Sequence, residues 1–399
     1  MFLSNLSQEE LTFVSKTDME SSEVVKYFYD DLMKMRTFPD VLRKFTPGKS
    51  DAEIKELLRT KFSEYEPALK PDSVRKNIDN WFNGREPNDK ATLIKICFAL
   101  GLVKDKAEEA RHFMKFTQES DFHLRDPEDA AFLYCLRVGK SYEEAENFVG
   151  NFPMPLPDAE QDDRIIYTEV VAKALSDVFT DEEFKQFYRE NLKKFGKLRN
   201  TAYDKFKRFL KELTEPDGSE AKESYATQEI VDSYLRMKLP LDKKTAKYDA
   251  IQKSIRAYWP NRTDVIEINN RAKYSGRKIR KTLLLLYVAT EGLVGLNLGK
   301  EDFYDSEEMF QGLFMEHVVR INLMLDQCGL ARLDPRNPFD WLILYCLKTD
   351  GDGEGATNDQ AESPDPPDRP ERCEGMTRQL QDILKILFPE NSEPEDISS

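Results

Sequence analysis

Residues 73–102 read SVRKNIDNWFNGREPNDKATLIKICFALGL, and this stretch restricts the fold more than any other. Val74, Ile78, Trp81 and Phe82 recur at spacings of four, three and one, so they share one face of a short helix, and that face is expected to be buried. The opposite side carries Arg75, Lys76, Asp79, Asn80 and Asn83. Asp72 or Ser73 is placed to cap the start, and Gly84 to take the left-handed conformation that closes the end. Pro87 prevents continuation and Asn88 or Asp89 can cap a second helix, whose apolar stripe is Leu93, Ile96, Cys97 and Leu100 before Gly101. Two helices meeting at a tight corner are therefore expected here.

The remainder repeats the helical period without a competing alternation of period two. Residues 22–36, 107–116, 127–137 and 141–149 continue the pattern around this unit, and Ser141 with Glu144 makes a capping box. The proline-rich stretch 151–163, NFPMPLPDAEQDD, reads as a domain boundary. Beyond it, residues 165–179, 181–195, 201–213, 226–236, 281–293, 306–328 and 337–347 read as apolar-faced helices. No internal repeat of fixed period stands out. The expected fold is all-α, with a helical domain at 1–150, a larger helical bundle at 164–349, a disordered acidic linker at 350–375 and a tail at 376–399. Within that tail Leu380, Ile383, Leu384, Leu387 and Phe388 make an amphipathic helix, expected to dock on the body.

Ser73, Ile78, Trp81, Gly84, Pro87, Leu93 and the Ala99-Leu100-Gly101 ending resemble the third and fourth helices of the lambda-repressor and Cro-like, or XRE-type, helix-turn-helix family. The resemblance is local, over about residues 51–104. It implies that the helix over 73–83 lies in a DNA major groove. The base-facing candidates are then Arg75, Lys76 and Asn80, and the phosphate-contact candidates Arg85 and Lys90. Two departures stand out. Phe82 replaces a residue that is often acidic in the family, and the preceding helix, read as 51–62, leaves a linker over 63–72 longer than a standard turn.

The net charge of −15 is unevenly distributed. Residues 36–104 carry 14 basic against 10 acidic side chains, whereas residues 350–399 carry 4 against 14. The most basic segment, 238–281, has 13 basic and 4 acidic residues, with Tyr248, Tyr258, Trp259 and Tyr274 interleaved. Its cations include Lys243, Lys244, Lys253, Arg256, Arg262, Arg271, Lys273, Arg277, Lys278, Arg280 and Lys281. Cations that neutralise phosphates beside rings that stack on bases would suit a single-stranded nucleic acid or an RNA complex.

Chemistry is otherwise sparse. Five scattered cysteines form no CxxC pair, and three histidines stand at no metal-ligand spacing. Glu128 with Asp129, Glu143 with Glu144 and Glu182 with Glu183 are sequence neighbours that diverge on a helix. No cofactor or metal is expected, and nothing proposes an enzyme. No apolar run approaches a membrane span, the start MFLSNLSQEEL lacks the order of a secretory signal, and the expected location is cytoplasmic. The expected function is sequence-specific binding of double-stranded DNA by a transcriptional regulator, acting as a homodimer or with a protein partner. The alternative is a helical protein-interaction adaptor from a mobile element or defence system.

Overall fold

The structure is a computed structural model that describes residues 5–17, 19–30, 36–83, 86–87, 89–117, 121–155, 167–196, 199–214, 250–271, 274–290, 307–348 and 375–389. Among these residues the chain is all-helical, without a strand, and no helix is long and apolar enough to cross a membrane.

Two hydrophobic cores organise the helices. The first gathers α3 (Phe38–Phe45), α4 (Asp51–Tyr65), α5 (Pro71–Phe82), α6 (Lys90–Ala99), α7 (Ala107–Phe116), α8 (Pro127–Val138), α9 (Tyr142–Val149), α10 (Tyr167–Ser176) and α11 (Asp181–Asn191). The second is built from α12 (Asn200–Thr214), α13 (Ala250–Ala257), α14 (Arg262–Asn269), α15 (Gly276–Ala289), α16 (Glu307–Gln327), α17 (Pro338–Cys346) and α18 (Gly375–Leu387). It also takes α1 (Asn5–Lys16) and α2 (Ser21–Tyr29), whose Val14, Val24 and Phe28 are buried there.

This division corrects the boundary expected at 151–163. Val171, Leu175, Phe184 and Phe187 lie beyond that segment yet pack in the first core, while the first two helices belong to the second. Proline and polarity mark a connection, but the apolar faces on either side decide which core each helix joins. The amphipathic helix in the tail is α18, which packs against α2, α15 and α17 and buries Leu380, Ile383, Leu384, Leu387 and Phe388. The expected linker over 350–375 lies outside the described residues apart from Gly375.

The two cores share a local design. Both α8 and α17 follow a polar N-cap and begin with proline, Asp126-Pro127 and Asn337-Pro338. Each has aspartate at its third position, Asp129 or Asp340, and continues Leu133-Tyr134-Cys135-Leu136-Arg137 or Leu344-Tyr345-Cys346-Leu347-Lys348. Each aspartate accepts the backbone N–H of the residue six earlier, His123 at 2.5 Å and Asp334 at 2.8 Å. Each also receives a cation from an earlier helix that is followed by x-Thr-Leu, Lys90 on α6 and Arg280 on α15. The Lys90 ammonium then donates to the Asp121 carbonyl at 3.3 Å, and the Arg280 guanidinium to the Arg332 carbonyl at 3.0 Å. The cation and its aspartate are 39 residues apart in the first core and 60 in the second, so the shared arrangement follows no fixed period.

Candidate nucleic-acid interface

α4 ends at Tyr65 and α5 begins at Pro71, leaving residues 66–70 as the connection. The linker expected over 63–72 is therefore a five-residue turn. Ser63, Glu64 and Tyr65 extend α4 by one more turn, and proline at the first helical position starts α5 earlier than expected. Asp72 and Ser73 consequently sit inside the first turn of α5, where Asp72 meets the positive end of the helix dipole, and neither is the N-cap. At α6 the expected cap is found: the Asp89 carboxylate accepts the Thr92 N–H at 2.7 Å.

The apolar face of α5 is anchored by Val74, Ile78 and Trp81, all buried. The Trp81 ring meets Phe62 edge-on at 5.4 Å and Phe38 at 6.2 Å, which ties α5 to α4 and α3. Phe82 is half-buried beneath the Lys55 ammonium, 4.8 Å from the ring centroid. Asp79 receives Lys55 at 3.3 Å and Arg59 at 3.0 Å from α4. Desolvation raises the Asp79 carboxyl, but the two cations outweigh it and hold it below the usual carboxylate range.

With these contacts fixing the inner side, α5 turns Asp72, Ser73, Arg75, Lys76 and Asn77 to solvent, while Asn80 is half-buried at the edge of that face. Arg75 makes an exposed ion pair with Asp72 at 3.2 Å, a contact worth little in water and readily exchanged. Asn77 was missed in the sequence, although it stands one residue beyond Lys76 on the same outward arc. Of the two phosphate candidates, Arg85 lies outside the described residues. Lys90 is corrected: its ammonium is turned inward to Asp129 and the Asp121 carbonyl, so it is a structural cation.

The basic segment 238–281 also needs correction. Lys243, Lys244, Lys273 and Tyr248 lie outside the described residues, as does the side chain of Arg262. Arg280 is 1% exposed and forms a two-pronged ion pair with Asp340 at 2.9 and 2.7 Å. Lys281 pairs with Asp264 at 2.7 Å and donates to the Trp259 carbonyl at 3.0 Å; burial lowers its pKa. Lys278 donates to Glu267 at 2.6 Å. The Arg277 guanidinium bridges the two cores, donating to the Pro87 carbonyl at 3.1 Å and the Thr117 carbonyl at 2.6 Å beside Glu86. Tyr258, which donates to Glu86, and Trp259 are core residues and offer no stacking surface. α15 is buried on nearly every side, so its cations must meet carboxylates and carbonyls inside the protein. Lys253 and Arg271 are exposed, and Arg256 is half-buried.

A half-buried histidine, His123, stands against Arg199. His123 accepts the Arg199 N–H at 3.4 Å through Nε2, and burial, reinforced by the Arg199 charge, pushes its pKa down to about 3. Cys97, Cys135, Cys328 and Cys346 are buried thiols, and no group of three metal-ligating side chains converges among the described residues. Comparison with family models, with curated proteins and with solved structures finds no match to this chain in any of the three.

Proposed function

We propose that the chain is a non-enzymatic, sequence-specific DNA-binding protein, a transcriptional regulator in which α5 enters the major groove. The observation that carries this reading is the α4–α5 pair: two helices locked by Trp81 across a five-residue turn, with Arg75, Lys76 and Asn77 outward. Arginine and lysine donate to the acceptors of guanine, and asparagine pairs with adenine, so Arg75, Lys76 and Asn80 have the chemistry for base edges. The rigid inner face matters as much, because a base reader held loosely loses the geometry its hydrogen bonds need.

The test is enrichment of random duplex DNA by the purified protein at near-physiological salt, beside an Arg75→Ala/Lys76→Ala/Asn80→Ala variant. The expected result is an enriched motif that the variant loses, each single substitution weakening the cognate site by about 1 to 3 kcal/mol. No enrichment by the wild type would overturn the reading. Trp81→Ala serves as the contrasting control: it removes the packing of α5 on α4, costs about 3 to 5 kcal/mol, and should abolish folding of the first core.

A further inference from the structure

The second core carries its own version of the α4–α5 pair, and there the outward cations sit on a different helix. α12 lies against α14 and α15 as α4 lies against α5 and α6. In the first core the α4 cations Lys55 and Arg59 are neutralised by the Asp79 carboxylate. Near the end of α14 the matching place is held by Asn269, whose side-chain oxygen receives the Lys207 ammonium of α12 at 3.4 Å. An amide accepts that hydrogen bond without cancelling the charge. Arg208 is exposed on the same helix. Just past α14, the exposed Arg271 donates to the Asn200 side-chain oxygen and lies 4.1 Å from the Tyr203 ring centroid, again against neutral partners. Among the described side chains none of the three is paired with a carboxylate.

We propose that this α12–α14 face is a second nucleic-acid contact, one that grips phosphates without reading bases. Lys207 and Arg271, held by amides and a ring, and the exposed Arg208 beside them in sequence remain attractive to an anion, and each phosphate they meet releases condensed counterions. The described outward side chains of α14, Thr263 and Ile266, include no cation, so base edges are not the fitting target. The inference rests on the reading of α5 as a DNA contact and extends it: one chain would touch a duplex at two places.

The test measures binding of the full-length protein to a random-sequence duplex over a range of salt, for wild type, for Lys207→Gln/Arg208→Gln/Arg271→Gln and for the α5 triple-alanine variant. Circular dichroism checks that each variant is folded, and Lys207→Gln/Arg208→Gln, which leaves the Arg271–Tyr203 contact intact, serves if the triple variant is not. The salt slope should fall by about 0.9 for each phosphate contact removed. Affinity should fall alike for all sequences, with the enriched motif retained. An unchanged slope, while the α5 variant still loses the motif, would overturn the second contact and leave the α5 reading standing. No binding of any duplex by the wild type would overturn both, and binding of an acidic polypeptide instead would overturn the choice of nucleic acid.

Discussion

Lys90 and Arg280 are equivalent residues in two different cores: each stands two residues before a Thr-Leu pair, and each carries its charge to the third residue of a proline-started helix. They differ in depth. The Lys90 and Asp129 side chains are 19% and 10% exposed, whereas those of Arg280 and Asp340 are 1% and 0% exposed.

That difference sets an order of cost. Arg280→Met strands a fully buried carboxylate together with the Ala331 and Arg332 carbonyls, and should destabilise by about 3 to 5 kcal/mol. Lys90→Met strands a carboxylate that is less deeply buried and keeps the His123 N–H, and should cost about 1 to 3 kcal/mol. Urea denaturation at neutral pH checks the order. Equal losses would mean that burial does not govern these pairs.

His123 predicts an acid-sensitive window. The unfolded chain takes up a proton near the ordinary histidine value of 6.5, whereas the folded protein resists until about 3. Between those values the unfolded state binds more protons, so this group removes stability as pH falls, at up to about 1.4 kcal/mol per pH unit. The difference in urea stability between wild type and His123→Gln should shift in the variant's favour from pH 7 to pH 4.5. A constant difference would assign the acid sensitivity elsewhere.

The contacts of Arg277 and Tyr258 with the 86–87 corner predict coupled unfolding. Arg277→Ala leaves the Pro87 and Thr117 carbonyls without this donor, and should cost about 2 to 4 kcal/mol. With Tyr258→Phe added, calorimetry should resolve two transitions where the wild type shows one. A single unshifted transition in the double variant would mean that the cores are joined by other contacts.

The inner face of α5 was legible because its cause is local: Val74, Ile78 and Trp81 follow the helical period, and packing needs only that face. The turn before it was misjudged because Ser63 and Glu64 extend α4 on its polar side, leaving no apolar mark. The basic segment misled for the opposite reason. Its charges are real, but Asp340 stands 60 residues from Arg280, Glu86 belongs to the other core, and a local count sees neither. Likewise Val24 and Phe28 announce an amphipathic helix without saying which core receives it. The likeness of Asp129 and Asp340 lies in the equivalent backbone and side-chain donors they accept, which sequence spacing does not carry.

The placement of α2 against α18 has a consequence for synthesis. Residues of the first core become available in one continuous run, 38–195, and can condense while the chain is still emerging from the ribosome. The second core cannot: Val24 and Phe28 share it with Leu380 and Ile383, and Tyr345 donates to the Met19 carbonyl at 2.5 Å. The first two helices leave the ribosome ahead of the first core and must keep their apolar faces unsatisfied until α18 has been made.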